Sequence, residues 1–296
     1  MKKKNFIYLS LILAVFISAS DLMGINTDDT RMLSQPVITK THIAFIYAED
    51  LWIANSDGTD PRRLTVDEGI ESDPFFSPDG KLIAFSAQYD GNTDVYIISS
   101  SGGIPVRLTW HPGEDLVRGF SPDGKKVLFA SQRSSFTTRY YQLYTVDISG
   151  GFPEELEIPN AWSAVYSPDG TKMAYTPLPP AYQQWKHYRG GRISRIWIYS
   201  FADHSVNIIP QPEGGCNDAE PMWSGDKIYF LSDRNGEFNV FSYAINDGQI
   251  KQLTHFDDFP VLNASAGNDV VIFEQGGYLH KYDISSDSAV KLTVGV

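Results

Sequence analysis

An all-β fold built from six copies of one four-stranded antiparallel unit is what this sequence predicts, and three observations carry it. The phrase FSPDGK stands at 76–81 and at 120–125, and returns as YSPDGT at 166–171. Short apolar triplets follow that phrase or its equivalent, six times in all. No stretch beyond the first twenty residues holds a helical period for long, whereas large apolar residues alternating with small or polar ones recur throughout, as strands require.

The units resolve into strands a to d. Strand a is the segment before the turn, as in DPFFS (73–77), VRGFS (117–121), SAVYS (163–167) and EPMWS (220–224). Strand b is the triplet: IAF (43–45), IAF (83–85), VLF (127–129), MAY (173–175), IYF (228–230) and VIF (271–273). Strand c follows as DLWIA (50–54), DVYII (94–98), QLYTV (142–146), RIWIY (195–199), NVFSY (239–243) and YLHKY (278–282). Strand d closes each unit: RRLT (62–65), VRLT (106–109), ELEI (155–158), NIIP (207–210), KQLT (251–254) and VKLT (290–293). Four-stranded units repeating at about 40 to 50 residues mark a β-propeller. The expected blades run over about 36–66, 72–109, 117–159, 163–210, 220–254 and 261–294.

Ser-Pro-Asp-Gly is then the hairpin between strands a and b. Pro sets φ, and Asp-Gly is expected to supply the positive-φ positions of a tight turn. The next two units use SGDK (224–227) and AGND (266–269) for the same job. A calcium loop would need six to eight oxygen ligands, and one Asp per turn falls short of that. The phase of the repeat matters as well. Unit one already holds all four strands (VITK, IAFIY, DLWIA, RRLT), and the sequence stops just after strand d of unit six. No strand exchange closes the ring, so closure is expected to rest on side-chain packing between the first and last blades or on something outside the chain.

Residues 1–20 read as an export signal: Lys2, Lys3 and Lys4 precede the apolar run FIYLSLILAVFISA, and small residues follow it. The run is shorter than the roughly 20 apolar residues of a spanning helix. No Cys follows it to carry a lipid. Residues 21–35 read as a linker, and the expected location is periplasmic or secreted, with no membrane contact after cleavage. Cys216 is the single cysteine, so no disulfide within the chain is available. Removing the leader's lysines takes the formal charge from −12 to −15, which argues against nucleic acid as a partner.

In a propeller the b–c and d–a loops share one face. Here they are the long, chemically varied segments, and loops on a rigid scaffold usually carry function. The blade-four insertion PLPPAYQQWKHYRGGRIS (177–194) is aromatic and basic in an otherwise acidic protein. His187, Arg189 and Arg192, with Arg133 and Arg139 of the preceding blade, are candidates for binding a peptide carboxylate, which Arg can hold in bidentate fashion. The alternative is a loop folded over the disc with its charges paired locally. Neither a Gly-x-Ser-x-Gly elbow nor His spacing suited to a metal occurs, so no catalytic residue, metal site or cofactor is expected from this chain.

The runs LTWHPGEDLVRGFSPDGKKVLFAS, WKHYRGGRISRIWIY, SGDKIYFLSDRNGEFNVFSY, KQLTHFDDFPV and VIFEQGGYLHKYD resemble the N-terminal six-bladed propeller of tricorn-type serine proteases, from about Gln35 to Val296. That resemblance implies an unclosed propeller and a non-catalytic role as a gate or conduit for peptides, next to the remaining domains of the protease. It also implies basic residues anchoring the substrate's C-terminal carboxylate, for which Arg133 and Arg139 are the candidates. The sequence stops where the second propeller would begin, so no catalytic residue carries over. An autonomous TolB-like propeller that binds a protein partner is the alternative, and an independent propeller enzyme is a third.

Overall fold

Six sheets follow one another along the chain, each made of four consecutive antiparallel strands in the order a-b-c-d. The computed structural model describes residues 27–296 apart from 136, 138 and 268; the expected leader at 1–20 lies outside the described residues. Strand a is Ser34–Ile38, Glu71–Phe76, Asp115–Phe120, Ser163–Tyr166, Asp218–Ser224 and Val261–Gly267 in blades one to six. Among the described residues no strand is exchanged between the first and last blades.

Each blade is sandwiched between two neighbours, so its middle strands bury both faces. Strand b of blade two, Leu82–Ala87, is buried at five consecutive positions. The core is accordingly six apolar clusters, each shared by two adjacent blades. The last residue of every expected triplet is an aromatic at its centre: Phe45, Phe85, Phe129, Tyr175, Phe230 and Phe273 are all essentially inaccessible. Truncating any one to Ala costs about 3–5 kcal/mol.

Two local expectations are revised. In the first hairpin, Gly80 N–H donates to Ser77 O, and only Gly80, at φ +71°, is left-handed. Asp79 stays at negative φ and works through its carboxylate, which accepts from Ser77 Oγ (2.7 Å) and Lys81 N–H (3.1 Å). These bonds to its charged form hold the Asp79 carboxyl below its ordinary range. The outer strand is also shorter than its motif. In RRLT, pairing ends at Arg63, and Thr65 turns inward so that its Oγ1 accepts from Leu51 N–H at the head of strand c. Thr109 and Thr254 repeat that cap on Val95 and Val240.

Closure is more than side-chain packing. Every seam carries one main-chain bond from the start of a blade to a residue just ahead of strand c of the preceding blade: Glu71 to Glu49, Asp115 to Thr93, Ala161 to Tyr141, Asp218 to Ser194 and Val261 to Phe238. At the seam between blades six and one, the segment ahead of the first strand makes the equivalent bond, Met32 N–H to Gly277 O at 2.8 Å. Thr30 adds a second, donating to Val294 O and accepting from Val296 N–H, and Leu33 is buried in the shared cluster. A short segment achieves this because one residue in register with a neighbour's open edge satisfies the same backbone groups that a full strand would.

Candidate functional site: the central channel and the face over it

The six copies of strand a surround a cavity of about 610 Å³. The proline turns Pro78, Pro122 and Pro168 lie at one end of its wall, and Thr176, Pro180 and Tyr182 of blade four belong to the opposite end. Its wall is not a smooth set of strands. In every blade except the fourth, pairing between strands a and b slips at a bulge. The residues there adopt positive φ: Gln35, Asp73, Gly119, Glu220 and Asn263. Such a bulge re-aims a side chain and frees a backbone group.

The freed groups are used between blades. Gln35 Oε1 accepts from Asp73 N–H (2.6 Å), linking blade one to blade two. Asp73 Oδ1 accepts from Arg118 (2.9 Å), and Arg118 Nε donates to Trp162 O (2.6 Å) while its guanidinium lies over the Trp162 ring. Glu220 Oε2 accepts from Ala264 N–H (2.7 Å), and Glu274 Oε1 accepts from Asn263 Nδ2 and from Gln35 N–H, both at 2.6 Å, returning to blade one. Among the described residues this polar girdle is interrupted once, between blades four and five, where the unbulged strand Ser163–Tyr166 faces Glu220.

The girdle is acidic with one guanidinium. Burial pushes the Glu220 carboxyl up to about 7, with Glu274 and Asp73 reinforcing the shift and the Ala264 N–H and Arg118 opposing it. Burial likewise raises Glu274. Sequence reasoning missed the girdle, although a signal was present: Gln35-Pro36, Asp73-Pro74 and Glu220-Pro221 put a polar residue before Pro at the same offset in three units.

The five basic candidates are not gathered into one site. Arg133 is held inside its own blade, paired with the buried Asp115 (2.6 Å) and lying over Phe129 and Tyr144. Arg234 does the same in blade five, on Asp218 with Phe230 and Phe241. The two stand at one repeat position, in SQR and SDR, which identifies the arrangement as a scaffold element. Arg189 pairs with the fully buried Asp233 at 2.7 Å, and His187 stands 3.9 Å from the same carboxylate. Arg192 donates to Pro179 O at 3.3 Å, and Arg139 is exposed on the blade-three loop. The loop face also presents large apolar side chains to solvent, Met32, Val66, Trp110, Trp185 and Phe259 among them. Cys216 is buried beside Asp218, and burial pushes its thiol up to about 12.

Comparison with known proteins places this geometry. The family model described as the tricorn protease N-terminal beta propeller domain matches residues 30–288. A tricorn protease homolog of Saccharolobus solfataricus is 26% identical over 265 residues, 88% of this chain and 24% of its own length. Tricorn protease homolog 1 of Streptomyces coelicolor is 28% identical over 241 residues, 81% of this chain and 22% of its own. The chain thus spans about a quarter of the length of these relatives. The crystal structure of the tricorn protease superposes with a TM-score of 0.79 at 23% identity, over 90% of this chain and 26% of that one. TolB from Acinetobacter baumannii superposes at 0.62 with 22% identity, over 86% of this chain and 63% of that one. Both structures share the fold.

Proposed function

Because this chain belongs to the tricorn protease N-terminal β-propeller family, we propose that it serves a tricorn-type peptidase as a peptide channel, admitting or routing chains without cleaving bonds itself. The observation that carries this reading is the channel of about 610 Å³, bounded by strand a of all six blades. An extended peptide needs a passage with polar groups to meet its amides and a wall rigid enough to exclude folded chains. The girdle of Gln35, Asp73, Arg118, Glu220 and Asn263 offers both. Of the five basic candidates, the exposed Arg139 and Arg192 guanidinium groups are open to a peptide carboxylate, while Arg133, His187 and Arg189 sit beside carboxylates already. The export signal read at residues 1–20 would place this activity outside the cytoplasm.

The test is hydrolysis of a mixture of short peptides by the purified chain, alone and then with the rest of a tricorn-type protease. The expected result is no turnover alone and turnover with the second polypeptide, reduced about tenfold when Ser265→Trp fills the channel. Hydrolysis by the chain alone, or turnover indifferent to that tryptophan in a folded variant, would sink the reading. A second reading, a TolB-like propeller that binds a protein partner, is favoured by the apolar side chains exposed on the loop face. In that case Trp110→Ser with Phe259→Ser abolishes partner binding and leaves the channel intact.

A further inference from the structure

The blade-four insertion is built differently from the other b–c connections. In blades one and six that connection is two residues, Ala48–Glu49 and Gly276–Gly277; in blade four the chain leaves strand b at Thr176 and re-enters strand c only at Trp197. Between those points it crosses to the neighbouring blade. Pro180 and Tyr182 stand in the channel wall, and the Tyr182 ring packs against Phe238 of blade five with centroids 4.7 Å apart. The tip is then fixed to blade five by Lys186 Nζ on Glu237 Oε1 and Arg189 on Asp233 Oδ2, both at 2.7 Å, and by Asn217 Nδ2 donating to Tyr188 O at 3.0 Å. It bridges the one joint the polar girdle leaves open.

Its attachments are of the kind that let go. From Gln183 to Gly191 every residue but the half-buried Tyr188 is exposed, so beyond the Tyr182 ring on Phe238 little apolar area opposes lifting of the tip. Lys186 is 59% exposed and Arg189 35%, while Glu237 and Asp233 are 16% and 0% exposed, so salt reaches both ion pairs from the side of the cation. The closed arrangement also carries costs: Glu237 Oε2 is buried without a partner, and His187 holds a φ of +58°. Few stabilising contacts set against stored strain describe an element close to balance between two positions.

We propose that residues 177–194 are a strap, latched to blade five by the Lys186–Glu237 and Arg189–Asp233 ion pairs, whose release widens the channel at the blade-four end. The proposal rests on the channel reading for its purpose, but its test uses no peptide. Failure of the strap would leave peptide transit standing, and failure of transit would leave the strap standing.

Thr176 lies at the root of the strap, in the channel wall and 2% exposed. In a Cys216→Ser background, Thr176→Cys provides a thiol whose rate of labelling by a small maleimide reports opening. Adding Lys186→Gln and Arg189→Gln should accelerate labelling about tenfold, the buried Asp233 carboxylate keeping its bonds from Asn217 N–H and Nδ2. Raising NaCl to about 0.5 M should accelerate the latched protein and scarcely affect the unlatched one. The thermal midpoints should stay close together. An unchanged rate in the unlatched variant overturns the proposal, as does a rise that merely follows a fall in the midpoint. Should the variants fail to fold, amide exchange of the wild-type chain decides. Selective loss of protection at Tyr188, whose N–H donates to Trp185 O, in high salt supports the strap, and salt-independent protection there overturns it.

Discussion

Two seams of the ring close in opposite ways. Between blades six and one the chain is discontinuous, yet Met32 makes the standard seam bond, Thr30 adds a second, Leu33 joins the shared core and the girdle passes through Glu274 to Gln35. Between blades four and five the chain is continuous and the seam bond from Asp218 to Ser194 is present, but the girdle is open and a long connection reaches across by ion pairs. Chain continuity and mechanical closure are therefore separate properties. A seam holds through the backbone groups and apolar area it buries, and both can be supplied by a segment outside any strand.

The largest expected effect breaks the first seam. Leu33→Ala removes the apolar anchor of the closing segment and should cost about 3 kcal/mol, read as a lower denaturant midpoint with an unchanged slope. Exchange protection should fall most in the edges of blades one and six. If stability is unaltered, the closing segment does not hold the ring.

A smaller effect sharpens the second seam. Glu220 is the girdle residue that faces the gap, and its carboxyl is raised in the folded state to about 7 from 4.5. A raised carboxyl pKa means the folded chain binds the extra proton. Its stabilising contribution is complete below the unfolded value and is lost as pH rises through the folded one. Wild-type stability should therefore fall by roughly 1 kcal/mol between pH 4.5 and 8 from this group, allowing for water in the channel. Glu220→Gln keeps an acceptor for the Ala264 N–H and should flatten that part of the profile. An identical pH profile would show that Glu220 is solvated as an ordinary carboxylate.

The smallest effect is expected at the strap's exposed flank. Arg192→Gln removes only a 3.3 Å bond to Pro179 O and should change stability by less than about 0.5 kcal/mol, with Thr176→Cys labelling unaltered. Faster labelling would extend the latch beyond its two ion pairs.

Much of the fold was legible in the sequence because the repeat writes it six times. The triplets IAF, VLF, MAY, IYF and VIF locate the buried aromatics, and the strand order a to d within each unit matches the sheets of the described residues. The candidate site was legible only in part. The insertion stood out by length and charge, but sequence gives no view of which carboxylates lie opposite. Arg133, read as a candidate anchor, occupies the same scaffold position as Arg234.

Strand number, blade order and the proline-glycine turns follow from local pattern, since alternation, β-propensity and turn chemistry act over a few residues and are repeated in register. The tertiary structure alone decided what meets across blades: Met32 with Gly277, Glu220 with Ala264, Arg189 with Asp233. Those partners lie 44 to 245 positions apart, and a hydrogen bond or ion pair at that separation depends on the angle between sheets, which no local pattern encodes.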